Sequence, residues 1–287
     1  MESTVIFAAI SAVLAGFYSF SFKVIAERNY DTNLSYVYMY FTAFTFSLIV
    51  TVFEGGVLTD AKEFVLIVFF SACMVIFYNM SMHTRVESMR NMDAMLFYPL
   101  YKTFGPITVI VISYFFFNET LTMREWLGII CGISIPLLLI TKTENRIQKN
   151  LYRGCIFMLF TSLFTALAGS IQKYSVDLGF DLNIFLTVYM FFGGAFCGVG
   201  YYRSKNTKKH YTNAGIFPFS VIIGLFFVGS AYTFIRALEG NFAIATTINS
   251  FSILIPIILS IIFYGEHFNL KKGIVIALSI VSILLFI

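Results

Sequence analysis

The sequence predicts an all-α membrane protein in which ten transmembrane helices form two inverted five-helix repeats around a central cavity. Three observations predict this fold: an apolar composition, ten long apolar segments, and a set of residues that recurs about 150 positions later. Of the 287 residues, 59% are hydrophobic and 12% are charged. Soluble domains carry about 25% charged residues, and so few charges cannot coat a globule in water. The composition therefore excludes a soluble enzyme and a nucleic-acid-binding domain.

Each of the ten apolar segments is long enough to cross a bilayer, which takes roughly 20 residues of helix. Their continuous apolar runs favour helices over barrel strands, whose lumen-facing and lipid-facing residues would alternate. In chain order, helices 1 to 10 are predicted at residues 4–22, 34–53, 64–83, 94–117, 122–141, 153–175, 183–202, 215–236, 242–264 and 270–287. All five prolines lie within these segments or at their starts. Membrane helices tolerate proline where a lined cavity or a neighbouring helix satisfies the freed carbonyl group, so the pattern predicts kinked helices around a cavity.

Residues of the first half recur in the second half in the same order. The offsets are 151, 150 and 147 for three pairs of stretches: 37–41 with 188–192, 30–34 with 180–184, and 116–119 with 263–266. Three matches in register indicate a duplicated five-helix unit, with domains at 1–145 and 146–287. Because five is odd, the two copies insert with opposite orientation. Inverted repeats are typical of transporters, whose binding site lies at the repeat interface near the middle of the membrane.

Residues 118–128 (NETLTMREWLG) resemble the signature that closes helix 4 and opens helix 5 in EamA-type transporters of the drug/metabolite transporter superfamily. Pro106 lies thirteen residues before Glu119, as a proline does in that family. The stretch from Gly16 to Lys23 is similar to the family's first helix. The chain departs from the family pattern at Gly273, where the family has tryptophan. The resemblance implies a ten-helix carrier that moves small organic solutes by alternating access, usually outward.

Lys102 is the clearest polar exception, because it lies near the middle of predicted helix 4. A charge at the centre of a membrane helix costs roughly 2.5–3.5 kcal/mol on insertion scales. Tyr98 lies one turn before Lys102, and the 147 offset places Asn249 at the equivalent depth of helix 9, with Thr246 one turn before it. We therefore predict that these four residues bind substrate. The alternative for Lys102 is a side chain that reaches the interface or pairs with a backbone carbonyl.

A second predicted cluster depends on where helix 3 ends. If the helix continues to about residue 90, Asn79, His83 and Glu87 follow one another at four-residue spacing along one face. Asn79 would then bind substrate. An imidazole and a carboxylate one turn apart can take up and release a proton near neutral pH, so His83 and Glu87 are the predicted proton-coupling pair. The alternative is that residues 84–93 form a polar loop.

Four further polar residues have predicted roles. Gln172 in helix 6 and Tyr232 in helix 8 are candidate substrate-binding residues. Glu119 precedes helix 5 by a short turn, and we expect its carboxylate to cap the first turn of that helix. Lys173 lies at the end of helix 6, where a lysine usually anchors at the membrane interface.

The predicted function is secondary active transport of a small organic metabolite, an amino acid or a similar zwitterionic or anionic solute. One alternative is a carrier of a phosphorylated or lipid-linked sugar, for which Arg85 with Lys102 would supply a basic pair. Another is an assembly subunit that transports nothing. We predict no enzymatic activity, no catalytic residue, no metal and no cofactor, because the three histidines and four cysteines lack ligand spacing. The expected partners are the small-molecule substrate and the lipid bilayer, with no nucleic acid, and the chain is expected to be a monomer or a homodimer.

The distribution of basic residues predicts the orientation in a cell membrane. The connections that follow odd-numbered helices, with the helix ends that flank them, carry about 14 Lys and Arg residues, whereas the other connections and their flanking helix ends carry 4. The positive-inside rule places the basic connections in the cytoplasm. Both termini are therefore expected outside, which is opposite to the arrangement that the family resemblance implies.

Overall fold

Helices joined by short turns and connections make up the part of the chain that the computed structural model describes, and the prediction of an all-α membrane protein is confirmed in that part. The described residues are 2–27, 30–54, 60–91, 94–138, 151–204, 215–255 and six single positions beyond them. The helices are α1 (Glu2–Glu27), α2 (Thr32–Phe53), α3 (Ala61–Asn91), α4 (Ala94–Phe116), α5 (Met123–Leu138), α6 (Leu151–Asp177), α7 (Leu182–Ser204), α8 (Ile216–Ala237) and α9 (Phe242–Ser250), followed by a 3-10 turn at Phe251–Ile253.

Six of these helices are long and apolar enough to cross a membrane: α1, α2, α3, α6, α7 and α8. The apolar parts of α4 and of α9 with its 3-10 turn are shorter, at Leu100–Phe116 and Phe242–Ile253. Predicted helix 10 at 270–287 falls almost entirely outside the described residues. The count of ten transmembrane helices therefore stays a prediction.

The sequence repeat is visible as repeated local structure at the starts of α2 and α7. The carboxylate of Asp31 accepts hydrogen bonds from the backbone N–H groups of Asn33 and Leu34, at 2.9 and 3.1 Å. Asp181 caps α7 in the same way. Its carboxylate accepts hydrogen bonds from the backbone N–H groups of Asn183 and Ile184, also at 2.9 and 3.1 Å. Aspartate is a preferred residue at this position because its oxygen satisfies N–H groups that the helix leaves unpaired. The boundary predicted between residues 145 and 146 lies outside the described residues.

Residues 83–91 belong to helix α3 and do not form the polar loop that was the alternative. This part of α3 packs against α6. Ser88 donates to the carbonyl oxygen of Gly154 at 2.8 Å, and the hydroxyls of Ser81 and Thr165 lie 2.6 Å apart. Interhelical hydroxyl contacts of this kind hold membrane helices together. Hydropathy ended helix 3 early because it counts these polar residues against the membrane, although α6 provides their partners.

Glu119 does not cap α5 as predicted. Its carboxylate accepts hydrogen bonds from the backbone N–H groups of Phe242 and Ala243, at 2.8 and 3.4 Å, and so caps α9 in the other repeat. The start of α5 is instead closed by Thr122 and Glu125, whose side chains and backbone N–H groups bond reciprocally at 2.7 and 3.3 Å, as in a capping box. The turn between α4 and α5 thereby fixes the first turn of α9, and with it the depth of Asn249.

We expect the Glu119→Ala substitution to destabilise the protein by about 2 kcal/mol, because the N–H groups of α9 lose a charged acceptor. The measurement is the thermal midpoint of the purified protein in detergent. Glu125→Ala is the matched comparison, since its cap is exposed and confined to α5. Equal midpoints for Glu119→Ala and the unmodified protein would show that the contact between the repeats contributes nothing.

Candidate functional site

A central cavity of about 190 Å³ lies between the helices of the two repeats. Side chains of α1, α3, α4, α6, α7, α8 and α9 line it. Its volume is below the roughly 300–1,000 Å³ of pockets that hold drug-sized molecules. The cavity therefore suits a small solute, and its position between the repeats matches the site that inverted repeats predict.

Two cationic side chains meet at one end of the cavity. Lys102 of α4 donates a hydrogen bond from Nζ to Oγ of Ser252 at 2.7 Å, across the interface between the repeats. Arg85 of α3 is only 8% exposed and donates from Nη2 to the hydroxyl of Tyr101 at 2.9 Å. The guanidinium carbon lies 4.8 Å and Lys102 Nζ lies 5.7 Å from the centre of the Tyr101 ring. No carboxylate lines the described cavity, so this end is positively charged.

Tyr101 holds this cationic end in place. Its ring stacks on Phe97 with centroids 5.5 Å apart and planes at 8°. Its hydroxyl accepts from Arg85 and donates to Oγ1 of Thr165 at 3.2 Å. The ring is thus fixed by α4 and its hydroxyl by α6, so Arg85 has a defined position.

Four of the predicted substrate-binding residues line the cavity: Lys102, Asn249, Thr246 and Gln172. Asn249 donates from Nδ2 to Oγ of Ser11 at 2.8 Å, which orients the amide. The hydroxyl of Thr246 is buried without a hydrogen-bond partner in the described part of the chain. A buried hydroxyl costs free energy unless it finds a partner, so a bound solute or water is the expected partner of Thr246.

The structure places the other predicted residues elsewhere. Asn79 is buried outside the cavity lining, where its amide donates to the carbonyl oxygen of Val75 at 2.9 Å and accepts from Sγ of Cys197 at 3.5 Å. Tyr232 contacts Asn183 and, at 3.4 Å, Glu54 near the ends of α8, α7 and α2. The backbone of Tyr98 is helical, one turn before Lys102, and its side chain lies outside the described part of the structure.

The predicted proton-coupling pair does not line the cavity. His83 is exposed and Glu87 is partly buried. A four-residue step advances a helix by about 400°, so each step rotates the face by about 40°. The residues at four-residue spacing therefore begin with Asn79, which is buried, and have already turned away from the protein interior at His83. The proton-coupling role stays a prediction.

Arg85 and Tyr101 line the cavity, although the sequence indicated them less clearly than Lys102. The sequence indicated Arg85 only for the alternative function, a carrier of a phosphorylated or lipid-linked sugar, because hydropathy placed this residue in a loop. The available signal was its spacing: it follows Tyr78 by seven residues, which puts both on one face of a continuous helix, and both line the cavity. Tyr101 was passed over for Tyr98, which shares a helix face with Lys102 by spacing.

Aromatic rings line a further part of the cavity wall. Phe227 of α8 lies 5.1 Å from the ring of Tyr18 and 6.2 Å from that of Tyr78, measured between centroids. Tyr78 in turn lies 6.2 Å from Tyr189 at an angle of 86°. All four rings line the cavity. We call this set, Tyr18, Tyr78, Tyr189 and Phe227, the aromatic end.

Lys173 is not the interface anchor that its position predicted. It is 7% exposed and donates from Nζ to the carbonyl oxygens of Leu238 and Gly240, each at 3.0 Å. It also pairs with Asp177 at 2.9 Å. Lys173 therefore ties α6 to the turn between α8 and α9.

Gly16 lets α1 approach the segment that carries Ser252. A Cβ atom at this position would lie 2.8 Å from the carbonyl oxygen of Ser252 and would overlap the side chain of Ile255. Because Ser252 binds Lys102, this close approach sets the geometry of the cationic end.

We expect Gly16→Ala to destabilise the protein by about 1–3 kcal/mol, as overpacking usually does. Gly198→Ala is the control, since nothing lies within 4 Å of its Cβ position and alanine favours helix over glycine. Thermal midpoints of both variants check the prediction. A Gly16→Ala midpoint at or above that of Gly198→Ala would contradict it.

Comparison with known proteins agrees with this architecture. The model of the EamA-like transporter family matches residues 2–141 and again residues 152–287. A solved structure described as "Crystal structure of protein" superposes with a TM-score of 0.77 at 10% sequence identity, covering 99% of this chain and 97% of that chain. At that identity the likeness shows the fold alone. No curated protein matches the sequence.

Proposed function

This chain belongs to the EamA-like transporter family, and we propose that it is a secondary carrier of a small zwitterionic or anionic organic solute, moved by alternating access in the export direction. The family supports membrane transport. The cavity at the repeat interface supports a binding site for the solute. Secondary transport needs no nucleotide, which agrees with a sequence that lacks the GxxxxGK[ST] phosphate-binding loop.

The proposal of an anionic or zwitterionic solute rests on one observation. Two cations, Arg85 and Lys102, line a cavity that has no carboxylate among its described lining residues. Charges inside a membrane are expensive and mark substrate or ion pathways. Both cations already donate to neutral hydroxyl oxygens, and a carboxylate is a stronger acceptor for each of them. A solute anion would therefore offset the positive charge of the cavity wall.

A phosphorylated solute is the second candidate, because the same two cations suit a phosphate group. The volume of about 190 Å³ disfavours a lipid-linked sugar, which is much larger than the cavity. A non-transporting assembly subunit is disfavoured, because it does not require a polar cavity. This cavity contains the Thr246 hydroxyl, which has no hydrogen-bond partner among the described residues.

The proposed function is tested with purified protein in two steps. A thermal-shift panel of amino acids, acetate, pyruvate, succinate and glucose 6-phosphate first identifies compounds that stabilise the folded protein, as a bound solute must. Counterflow of each stabilising compound into proteoliposomes then measures transport. We expect at least one carboxylate to stabilise the protein and to accumulate above protein-free liposomes. Preference for glucose 6-phosphate would favour the second candidate, and absence of flux for every stabilising compound would contradict a carrier.

The orientation is testable separately. The charge distribution predicts that a reporter active only outside the cytoplasm, fused after Ile287, will be active. A fusion after Ser204, which precedes a basic connection, is the control and is expected to be inactive. The reverse pattern would show that the family arrangement overrides the positive-inside rule here.

A further inference from the structure

The two ends of the cavity differ in chemistry, and this difference bears on the solute. The cationic end holds Arg85 and Lys102 over the ring of Tyr101. The aromatic end holds Tyr18, Tyr78, Tyr189 and Phe227. The solute that satisfies both ends carries a negative group and an apolar group at opposite ends.

Helix α3 carries one residue of each set. Tyr78 and Arg85 are seven residues apart on one face, which is about 10 Å along the axis. Both side chains line the same cavity, so one small molecule can contact both. A ring joined to a carboxylate through a short chain has suitable dimensions for a cavity of about 190 Å³.

The aromatic end by itself is compatible with either a cation or an aromatic ring. Ring faces attract cations, but the guanidinium of Arg85 and the ammonium of Lys102 already occupy this cavity, and no described carboxylate lines it. A further cation would be repelled. Rings also pair with other rings at centroid distances of about 4.5–7 Å, the range in which the four rings already pair with one another.

We propose that the cavity binds an aromatic carboxylate, with its carboxylate at Arg85 and Lys102 and its ring against Tyr18, Tyr78, Tyr189 and Phe227. The inference rests on the proposed function and narrows its solute class. Thr246, Asn249 and Gln172 lie along the remaining wall and supply polar contacts for substituents between the ring and the carboxylate.

Four matched probes test the proposal by calorimetric binding to the purified full chain. They are 3-phenylpropionate, its saturated analogue 3-cyclohexylpropionate, butyrate, and the neutral 3-phenylpropan-1-ol. We expect 3-phenylpropionate to bind about 2- to 10-fold more tightly than the cyclohexyl analogue, because ring pairing adds to area burial. Replacing its carboxylate by a hydroxyl should lower the affinity at least about 10-fold, because a bond between charged groups is lost.

Two variants assign the preferences to the two ends. Phe227→Leu should weaken the preference for phenyl over cyclohexyl and keep the preference for carboxylate over alcohol. Arg85→Gln should do the opposite. Phe219→Leu is the control, because Phe219 lies on the same helix, packs on Tyr30 at 5.8 Å and does not line the cavity.

The unmodified protein decides the outcome even if a variant does not fold. Equal affinity for the phenyl and cyclohexyl probes, or for 3-phenylpropionate and butyrate, would overturn the aromatic inference and leave the anion carrier standing. Tighter binding of the alcohol than of the carboxylate, or no binding of any carboxylate, would overturn both this inference and the anionic solute of the proposed function.

Discussion

Replacing Lys102 by alanine is expected to lower the affinity for a carboxylate probe by about 10- to 100-fold. Lys102 Nζ is held 2.7 Å from Ser252 Oγ at the cationic end of the cavity, and a hydrogen bond to a charged group is worth about 1.5–3 kcal/mol. Transport of the probe in proteoliposomes should fall correspondingly. Calorimetric titration with 3-phenylpropionate and counterflow of the same probe measure the two effects.

The stability of this variant distinguishes a binding role from a structural one. Removing a charge from the membrane interior also removes an insertion cost, so we expect the thermal midpoint without ligand to stay equal or to rise. Lys62→Ala is the control, since Lys62 is exposed near the start of α3 and should change neither property. Unchanged affinity in Lys102→Ala would contradict the binding role. A large fall in its midpoint together with unchanged affinity would mean that Lys102 serves the fold.

Replacing Lys173 by methionine is expected to have the largest effect on stability, about 2–4 kcal/mol, because each buried acceptor that loses its partner costs about 1–3 kcal/mol. The variant keeps the apolar stem but leaves the carbonyl oxygens of Leu238 and Gly240 without their donor. The ion pair with Asp177 adds little, because that carboxylate is 42% exposed.

The thermal midpoint in detergent checks this expectation, with Lys62→Met as the matched lysine control. The α8–α9 turn also precedes the helix that carries Thr246 and Asn249, so ligand affinity should fall in Lys173→Met as well. A midpoint close to that of Lys62→Met would show that the two carbonyl groups find other partners, and would contradict the role assigned to Lys173.

Much of the helical framework could be predicted from hydropathy, because a bilayer imposes a minimum length on each apolar segment. The starts of α2 and α7 were also readable, since Asp31 and Asp181 repeat at an offset of 150 and cap their helices in the same way. Lys102 and Asn249 were found by combining that repeat with the cost of burying polar groups. For both residues, the cost of burying a polar group in an apolar segment and the match between the two repeats led to the same prediction.

The rest depended on contacts between elements that are distant in sequence. Glu119 is followed by a helix start, so local rules assign its carboxylate to α5, and only the packed structure brings α9 closer. Arg85 lies in a polar stretch that is part of α3 and packs in the protein because residues of α6 bond with its neighbours. His83 does not share the buried face of Asn79, because a four-residue spacing drifts around a helix. In each case the missing information was which helix lies opposite.

The most direct test of the account measures access to the cavity from each side of the membrane. Thr246→Cys, in a protein whose four cysteines are replaced by serine or alanine, places one thiol on the cavity wall. Val111→Cys is the control, because Val111 is 52% exposed on the apolar part of α4, Leu100–Phe116, and is expected to face lipid. An alternating-access carrier predicts that a membrane-impermeant thiol reagent labels the introduced cavity thiol from either side in turn, and that a bound carboxylate slows both reactions. Labelling from one side only, with no effect of any carboxylate, would contradict the carrier.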